Sequence, residues 1–225
     1  MTRSIRHYVV VDGDLIRSRR LTGRARAELQ TQLKKTFTRI SHVYGKTVSV
    51  SFQFTGGDEF QGVLQSAQPV FDLINLIRDA IQPMTVRFGI GIGEIVTPID
   101  ARPQSMDGPA FHKARDALSW STDFLYQSCV ISGNQELDAE ANAWLECLSH
   151  IRSRWSARAL EVTGLYARHE KLEPVAKRLG ISVQAVSKHL NVSGYKAFAR
   201  GKNVLAKTLS AYDQLVQVDK TKSTN

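Results

Sequence analysis

Apolar residues in the first part of the chain repeat alternately at the spacing of β-strands and at the spacing of α-helices. Residues 48–54 alternate apolar and polar side chains with period two, which is typical of a half-buried strand. Residues 24–44 instead place apolar side chains at intervals of three and four, which predicts an amphipathic helix. The same patterns predict strands at 8–11, 48–54, 60–64, 86–95 and 124–131, and helices at 24–44, 69–81 and 109–118.

Glycines mark a tight turn and a close approach among these elements. Gly56 and Gly57 lie between two predicted strands, and glycine tolerates the positive φ that a short hairpin turn needs. The strand 86–95 has one bare side, where we expect another segment to pack closely. Its alternate glycines are Gly89, Gly91 and Gly93. The order β-α-β-β-α-β-α-β indicates a mixed α/β (α+β) fold.

A helix-turn-helix pattern lies in the last third of the chain. Residues 172–179 and 183–190 are predicted to form two short helices, with Gly180 at the turn between them. In DNA-binding proteins of this kind, the second helix enters the major groove with its N-terminal side chains on base edges. The predicted DNA-binding residues are Ser182, which also suits an N-cap, Gln184, Ser187 and Lys188.

The charge distribution favours DNA as the partner of this unit. The net charge is +9, and residues 1–150 carry 16 basic and 16 acidic side chains. The whole excess therefore lies in residues 151–225, which carry 14 basic and 5 acidic side chains. Localised positive charge is typical of proteins that bind a phosphate backbone, so we expect double-stranded DNA as a partner. The alternatives are a solvated basic surface and a helical hairpin that binds another protein.

Acidic residues cluster at two predicted strand ends in the first part of the chain. Asp12 and Asp14 follow the first strand, and Asp58 and Glu59 follow the glycine pair of the hairpin. The first strand of a β-α-β-β sheet commonly lies beside this hairpin, so we expect Asp14 and Asp58 to meet. Mg²⁺ binds one or two protein carboxylates and completes its shell with phosphate oxygens and water. We interpret Asp12 as a turn or cap residue rather than as a third metal ligand. The arginines after Asp14 are candidate ligands of a triphosphate or a nucleic acid, or solvated side chains. They are Arg17, Arg19, Arg20, Arg24 and Arg26.

Four segments, in chain order, resemble motifs of class III nucleotide cyclases and diguanylate cyclases. Residues 54–60 contain the string GGDEF, and residues 14–19 resemble the first metal-binding motif. Residues 87–94 resemble the glycine-containing cyclase strand, and residues 108–115 resemble a cyclase helix. With the helix-turn-helix, about residues 8–200 resemble the SatD family of small bacterial proteins. This resemblance implies a ferredoxin-like nucleotide-cyclase palm domain followed by an all-α helix-turn-helix domain.

The resemblance also implies roles for individual residues. The positions that bind Mg²⁺ or Mn²⁺ with a nucleoside triphosphate fall on Asp14, Asp58 and Glu59, the last of which is alternatively a residue that shields the hairpin. The turn that holds the phosphates falls on Arg17, Ser18 and Arg19. Arg115 matches the arginine that stabilises the transition state, and His112 stands where cyclases have asparagine. The chain has no counterpart of the lysine and aspartate with which cyclases select a base.

Composition excludes several classes of protein. Two cysteines, Cys129 and Cys147, are too few for a disulfide framework or a four-ligand zinc site. No apolar run approaches the length of about 18 residues that a membrane span needs. The apolar stretch at 8–11 is too short for the core of a secretory signal. We therefore expect a cytoplasmic protein that does not bind a membrane.

Three functions are compatible with these features. The first is a transcriptional regulator whose palm domain senses a nucleotide with Mg²⁺ and whose helix-turn-helix binds DNA. The second is a nucleotidyl cyclase or nucleotidyltransferase that uses two-metal chemistry, and the third is a non-catalytic adaptor whose palm forms a homodimer. The predicted domains are the palm at 1–133, a helical linker at 134–157, the helix-turn-helix domain at 158–215 and a flexible tail at 216–225. The metal-binding aspartates favour the first two functions, and the absent base-selecting pair favours binding over catalysis.

Overall fold

The computed structural model describes residues 7–123 and 127–222, except the side chains of residues 123 and 214–222. In these residues the chain forms five strands and eight α-helices. The strands are β1 (His7–Ile16), β2 (Val48–Gly56), β3 (Glu59–Leu64), β4 (Thr85–Glu94) and β5 (Ser128–Ile131). The helices are α1 (Gly23–Val43), α2 (Val70–Ala80), α3 (Pro109–Trp120), α4 (Gln135–Ser153), α5 (Ala157–His169), α6 (Leu172–Leu179), α7 (Val183–Val192) and α8 (Tyr195–Lys222).

The strands form one sheet in the order β2-β3-β1-β4-β5. Strand β1 pairs antiparallel with both β3 and β4, and β5 runs parallel to β4. The first six elements follow the β-α-β-β-α-β order of ferredoxin-like folds. The predicted order of strands and helices is therefore confirmed, and so is the mixed α/β class.

The main hydrophobic core lies between the sheet and helices α1 and α2. Phe37 of α1 packs on Phe52 and Phe60, with ring centroids 5.7 and 5.1 Å apart, and aromatic pairs at such distances stabilise a core beyond their burial alone. Helices α4 and α8 join the same core through Ala141, Leu145, Leu148, Phe198, Leu205, Leu209 and Tyr212. The segment that we expected to link two domains therefore forms a helix that packs against β5 and α8.

Helix α3 packs on the opposite face of the sheet, against the bare side of β4. A Cβ atom added at Gly91 would lie 2.1 Å from the carbonyl oxygen of Ala110. One added at Gly89 would lie 2.1 Å from the carbonyl oxygen of Ala114. Only glycine permits this separation of helix and strand. The expected close approach at these positions is confirmed, and it fixes the height of α3 above the sheet.

Helices α5, α6 and α7 bury a small core of their own. Between α6 and α7, Gly180 takes a φ of +62°, which is the left-handed conformation expected at the turn. The Ser182 hydroxyl caps α7 by accepting a hydrogen bond from the backbone NH of Ala185 at 3.1 Å. Both predicted helices and the turn are therefore confirmed. The buried residues of this core are Val162, Leu165, Val175, Ala176, Val186 and Leu190.

Strand β1 is longer than its apolar run predicts. It continues to Ile16, because β3 pairs with it as far as Asp14 and β4 pairs with it as far as Ile16. Asp12 and Asp14 therefore lie inside the sheet and not at the end of a strand. The interpretation of Asp12 as a turn or cap residue is wrong for this reason.

Two predicted segments reach the limits of the described residues. Strand β5 begins at Ser128, and residues 124–126 of the predicted strand lie outside the described part. Helix α8 continues to Lys222 through most of the expected tail, and residues 223–225 lie outside the described part. Every helix in the described part of the chain is too short or too polar to span a membrane.

Candidate functional site

The β2–β3 hairpin and the end of β1 enclose an open cleft of about 770 Å³. Gly57 takes a φ of +54°, as a short hairpin turn requires. The backbone NH of Leu15 donates to the carbonyl oxygen of Asp58 at 3.2 Å, which ties the turn to β1. Asp14 and Asp58 consequently line one cleft. The candidate residues that meet in this hairpin cleft are Asp14, Arg17, Ser18, Arg19, Asp58 and Glu59.

Each of the two aspartates is ion-paired with an arginine from a different element. Arg87 lies directly opposite Asp14 in the β1–β4 pairing and donates to its Oδ2 through both Nε, at 3.1 Å, and Nη2. Arg26, from the first turn of α1, donates through Nη2 to Oδ1 of Asp58. The side chains of Asp14 and Asp58 are only 19% and 13% exposed, so the two ion pairs lie in a partly desolvated site.

The charge of Asp58 is further stabilised by its surroundings. The hydroxyl of Ser18, itself buried, contributes most to lowering the pKa of Asp58 below its ordinary value. Partial burial opposes this effect, and the hydrogen bond and charge of Arg26 and the charge of Arg19 add to it. A carboxylate whose pKa is lowered stays ionised at neutral pH, as a metal ligand must.

The segment after β1 presents a row of arginines to the cleft. Arg17 has a φ of +59°, which is a left-handed conformation, and it precedes a short 3₁₀ turn at Ser18–Arg20. The backbone NH of Arg20 donates to the carbonyl oxygen of Arg17 at 3.0 Å, so the turn is closed by its own backbone. Arg17, Arg19 and Arg20 are exposed and line the hairpin cleft. Such side chains are suited to multidentate binding of phosphate.

The oxygen ligands of the cleft fit magnesium bound to a nucleotide better than a metal held by protein alone. Among the described residues, no group of three or more His, Cys, Asp and Glu side chains is placed to hold a metal ion. Asp14 and Asp58 line the same cleft, and Glu59 lies opposite Asp14 in the β1–β3 pairing. Two carboxylates are sufficient where phosphate oxygens and water complete the shell of Mg²⁺.

A second pocket of about 480 Å³ adjoins the cleft, between β1, β3 and α3. Asp12 and Gln61 are paired across β1 and β3, and the Gln61 amide donates to Oδ1 of Asp12 at 2.5 Å. Burial raises the pKa of Asp12 to about 6, although the Gln61 hydrogen bond and the charge of Arg115 oppose the shift and the charge of Glu59 adds to it. Glu59 lines both pockets and marks the boundary between them.

The two residues predicted to be catalytic lie in this second pocket and not in the hairpin cleft. Arg115 and His112 project from α3 and are both exposed. The Nε2 atom of His112 lies 3.3 Å from Oδ1 of Asp107, which precedes the helix. The structure therefore places the predicted metal-binding and catalytic residues in adjoining pockets of one chain.

Sequence reasoning missed Arg87 and Gln61, and it named Arg26 only as a candidate phosphate ligand and not as the partner of Asp58. Arg26 and Arg87 neutralise the aspartates of the cleft, and Gln61 holds Asp12. A signal existed for Arg87, because it shares one face of β4 with the bare glycines and is the only charged residue in the strand interior. The partner of Gln61 depends on strand register and the partner of Arg26 on the packing of α1, and the sequence alone specifies neither.

The predicted DNA-binding residues lie at the N-cap and in the first two turns of α7. Gln184 and Lys188 are exposed, and Ser187 is half-buried. The Ser182 hydroxyl caps the helix, so this oxygen already accepts a backbone hydrogen bond. Lys177 and Arg178 of α6 are exposed near the same turn.

Known proteins offer similarities to parts of this chain. No curated protein matches it. A guanylyl cyclase domain of the RhoGC fusion protein from Blastocladiella emersonii is 16% identical, with a TM-score of 0.40, and the match covers 51% of this chain and 74% of that one. A bacterial light-regulated adenylyl cyclase is 15% identical, with a TM-score of 0.43, over 61% of this chain and 81% of that one.

A regulator of polyketide synthase expression from Bifidobacterium adolescentis matches more of this chain, with a lower TM-score. It is 14% identical, with a TM-score of 0.23, over 95% of this chain and 86% of that one. The SatD family model matches residues 8–209, so this match spans both the sheet and the C-terminal helices. The chain belongs to the SatD family.

Proposed function

We propose that the protein binds a nucleoside triphosphate with Mg²⁺ in the hairpin cleft and acts as a nucleotide-cyclase-like nucleotidyl transferase. The observation that carries this proposal is the combination of two ion-paired aspartates with a ring of arginines in one open cleft. Guanidinium groups bind phosphate through paired hydrogen bonds, and carboxylates bind the accompanying cation. The arginines of the cleft are Arg17, Arg19, Arg20, Arg26 and Arg87.

The ion pairs of the free protein would rearrange when the nucleotide binds. Arg26 and Arg87 balance the two aspartates in the free cleft. In the complex, Asp14 and Asp58 would hold the cation, and the two arginines would turn to phosphate oxygens. Every charge then keeps an opposite partner, so ligand binding would not leave an unpaired carboxylate in a partly buried site.

The reaction that suits this cleft is nucleotidyl transfer at the α-phosphate. A bond would form between the ribose 3′-oxygen and the α-phosphorus, the bond to the bridging β-phosphate oxygen would break, and pyrophosphate would leave with the hydroxyl proton passing to solvent. A bound Mg²⁺ supplies activation of the hydroxyl and neutralisation of the leaving group. Arg17 and Arg19 would hold the leaving phosphates, and Arg115 would stabilise the charge that develops at the α-phosphate. His112, on the same helix, is the second candidate for contact with the reacting groups.

Product analysis tests the proposal. The purified protein is incubated with each of the four ribonucleoside triphosphates and Mg²⁺ or Mn²⁺, and the mixture is separated by chromatography. We expect pyrophosphate and a cyclic or linked nucleotide from the wild type and none from Asp58→Asn. Asp100→Asn is the matched control, because Asp100 pairs with Arg102 outside the cleft. A wild-type protein that yields no product from any triphosphate would contradict the enzymatic proposal.

A second candidate function, sequence-dependent DNA binding, is favoured by the surface of α6 and α7. Gln184 and Lys188 project from the first two turns of α7, and Ser187 lies between them on the half-buried side. The excess positive charge of the chain lies in this C-terminal third. We propose that Gln184 and Ser187 would contact base edges and that Lys188 would contact phosphate. Ser182 would position α7 through its cap and would offer its backbone to phosphate.

Binding measurements separate this candidate from a solvated basic surface. Gln184→Ala should weaken sequence preference by about 1–3 kcal/mol at one base pair, and Lys188→Ala should weaken binding to all sequences alike. Lys207→Ala is a matched control, since Lys207 is exposed on α8 outside this unit. If the full chain shows no salt-dependent affinity for duplex DNA at low ionic strength, DNA binding is excluded.

A further inference from the structure

The second pocket and the hairpin cleft adjoin through side chains of β1 and β3 that share one face of the sheet. Asp12 and Asp14 are two positions apart in β1, so their side chains point to the same face and lie about 7 Å apart along the strand. Their partners in β3 are Gln61 and Glu59, which are likewise two positions apart. Glu59 lines both pockets. One extended ligand can therefore enter both.

The two pockets have opposite electrostatic character. Five arginines line the hairpin cleft, which suits the phosphates of a nucleotide. The second pocket is acidic on balance, because three carboxylates face one arginine and one histidine. A second phosphate group is therefore disfavoured there, and a group rich in hydrogen-bond donors is favoured. Its carboxylates are those of Asp12, Glu59 and Asp107.

We propose that the second pocket receives the base of the nucleotide and that the paired Asp12 and Gln61 select guanine over adenine. This inference rests on the proposed function, because it takes the triphosphate of the same nucleotide to lie in the hairpin cleft. The pocket would supply the base recognition for which this chain has no counterpart of the cyclase lysine and aspartate.

The hydrogen-bonding pattern of the pair explains the choice of base. The Gln61 amide nitrogen donates to one oxygen of Asp12. A carboxylate has about four acceptor sites, so Asp12 keeps acceptors for a ligand while the Gln61 hydrogen bond holds the carboxylate in place. The Watson–Crick edge of guanine carries two adjacent donors, N1–H and the 2-amino group. Adenine places an acceptor, N1, where guanine has a donor, and that acceptor would meet the carboxylate oxygens of Asp12 in repulsion.

The walls of the pocket suit a flat aromatic ring. Phe111 and Leu118 of α3 line it from one side, and Met106 and Pro103 line it from the loop before α3. Phe111 is only partly buried, so its ring is accessible for stacking. Apolar walls with a few convergent polar groups are typical of small-molecule sites.

Calorimetric titration with three probes tests the inference. The probes are the α,β-methylene analogues of GTP and ATP, in which the bond broken by the proposed reaction is replaced, and inorganic tripolyphosphate, each with Mg²⁺. We expect the wild type to bind the guanine analogue on the order of 10- to 100-fold more tightly than the adenine analogue. Asp12→Asn should abolish or invert this ratio, because asparagine presents a donor to the base. It should leave the affinity for tripolyphosphate unchanged.

Matched variants keep the outcome interpretable. Asp116→Asn alters an exposed aspartate of α3 outside the pocket, and it should keep the wild-type ratio. If Asp12→Asn does not fold, Gln61→Met removes the amide that holds Asp12, at similar volume, and should also reduce the ratio. Equal wild-type affinity for the two analogues, or a ratio that survives both pocket variants, would overturn the base-selection inference while tripolyphosphate binding upheld the cleft. Failure of all three probes to bind would overturn the cleft proposal and this inference together.

Discussion

The contact between α3 and β4 provides a quantitative test of the architecture that positions both pockets. Gly91 lies under α3, and a Cβ atom there would lie 2.1 Å from the carbonyl oxygen of Ala110 and 2.2 Å from the backbone nitrogen of Ala114. Ordinary contact begins at 3.4 Å, so Gly91→Ala requires the helix backbone to move by about 1.3 Å. The obstacle is backbone and cannot rotate away, as the end of a side chain could.

The expected destabilisation follows from overpacking. Inserted methyl groups in packed cores cost about 1–3 kcal/mol, and a rigid backbone obstacle places Gly91→Ala at the upper end of this range or above. Gly93→Ala is the matched control, since its Cβ would lie 3.1 Å from the nearest atom, the backbone nitrogen of Ala110. At that site the neighbouring backbone needs to move by only about 0.3 Å. The small energetic cost of this shift is offset by about 0.4–1 kcal/mol, because alanine lowers the conformational entropy of the unfolded chain.

Urea unfolding monitored by circular dichroism measures both variants. We expect the free energy of unfolding of Gly91→Ala to be at least about 2 kcal/mol lower than that of Gly93→Ala. The nucleotide affinity of Gly91→Ala should also fall, because α3 forms one wall of the second pocket. If the two variants unfold at the same urea concentration, then α3 does not rest directly on the β4 backbone. The placement of Arg115 beside Asp12 would then be wrong as well.

Three further predictions concern catalysis, domain boundaries and pH. Arg115→Ala should lower turnover by about 100-fold or more at little changed nucleotide affinity, which is measured by initial rates with calorimetry, whereas a fall in affinity alone would assign it to ground-state binding. A chain that ends at residue 156 lacks the buried residues Leu205, Leu209 and Tyr212, so it should not unfold cooperatively in a thermal melt, and a sharp transition would contradict the shared core. Burial raises the pKa of Asp213, although Ser66 and Ala67 donate hydrogen bonds to its carboxylate. The folded state therefore favours the protonated carboxyl, and the stability that Asp213 contributes in this form is lost as pH rises through its pKa in the folded state. Asp213→Asn should therefore be more stable relative to wild type at pH 8 than at pH 4.5 in urea titrations, and a difference that is constant with pH would refute the assignment.

Much of the fold is predictable because local patterns and long-range packing agree. The alternation at 48–54 and the helical spacing at 24–44 both correspond to observed elements, β2 and α1. The glycines of β4 predict a close contact without naming its partner, and that partner is α3. The extent of β1 was not predictable, since Asp12 and Asp14 are polar and only pairing with two neighbours keeps them in a strand.

The site was predictable in part for the same physical reason. Motif residues adjacent in sequence, such as Arg17, Ser18 and Arg19, lie together in the cleft as their spacing requires. Arg26 and Arg87 come from separate elements, and their ion pairs depend on the packing of α1 and on strand register. Arg115 and Asp12 line the second pocket together for the same reason, because the packing of α3 on the sheet brings them together. The spacing of the motifs along the chain does not predict this second pocket.

Magnesium-dependent nucleotide binding tests the central claim most directly. An α,β-methylene nucleoside triphosphate, which cannot release pyrophosphate, is titrated calorimetrically into the wild type and into Asp14→Asn and Asp58→Asn, with Mg²⁺ and with EDTA. We predict that Mg²⁺ strengthens binding to the wild type by at least about tenfold, or about 1.4 kcal/mol, and that each variant loses this gain while its arginines still bind phosphate weakly. Affinity that is identical with Mg²⁺ and with EDTA, or a magnesium effect that survives in both variants, would contradict the assignment of these aspartates to a cation-dependent nucleotide site.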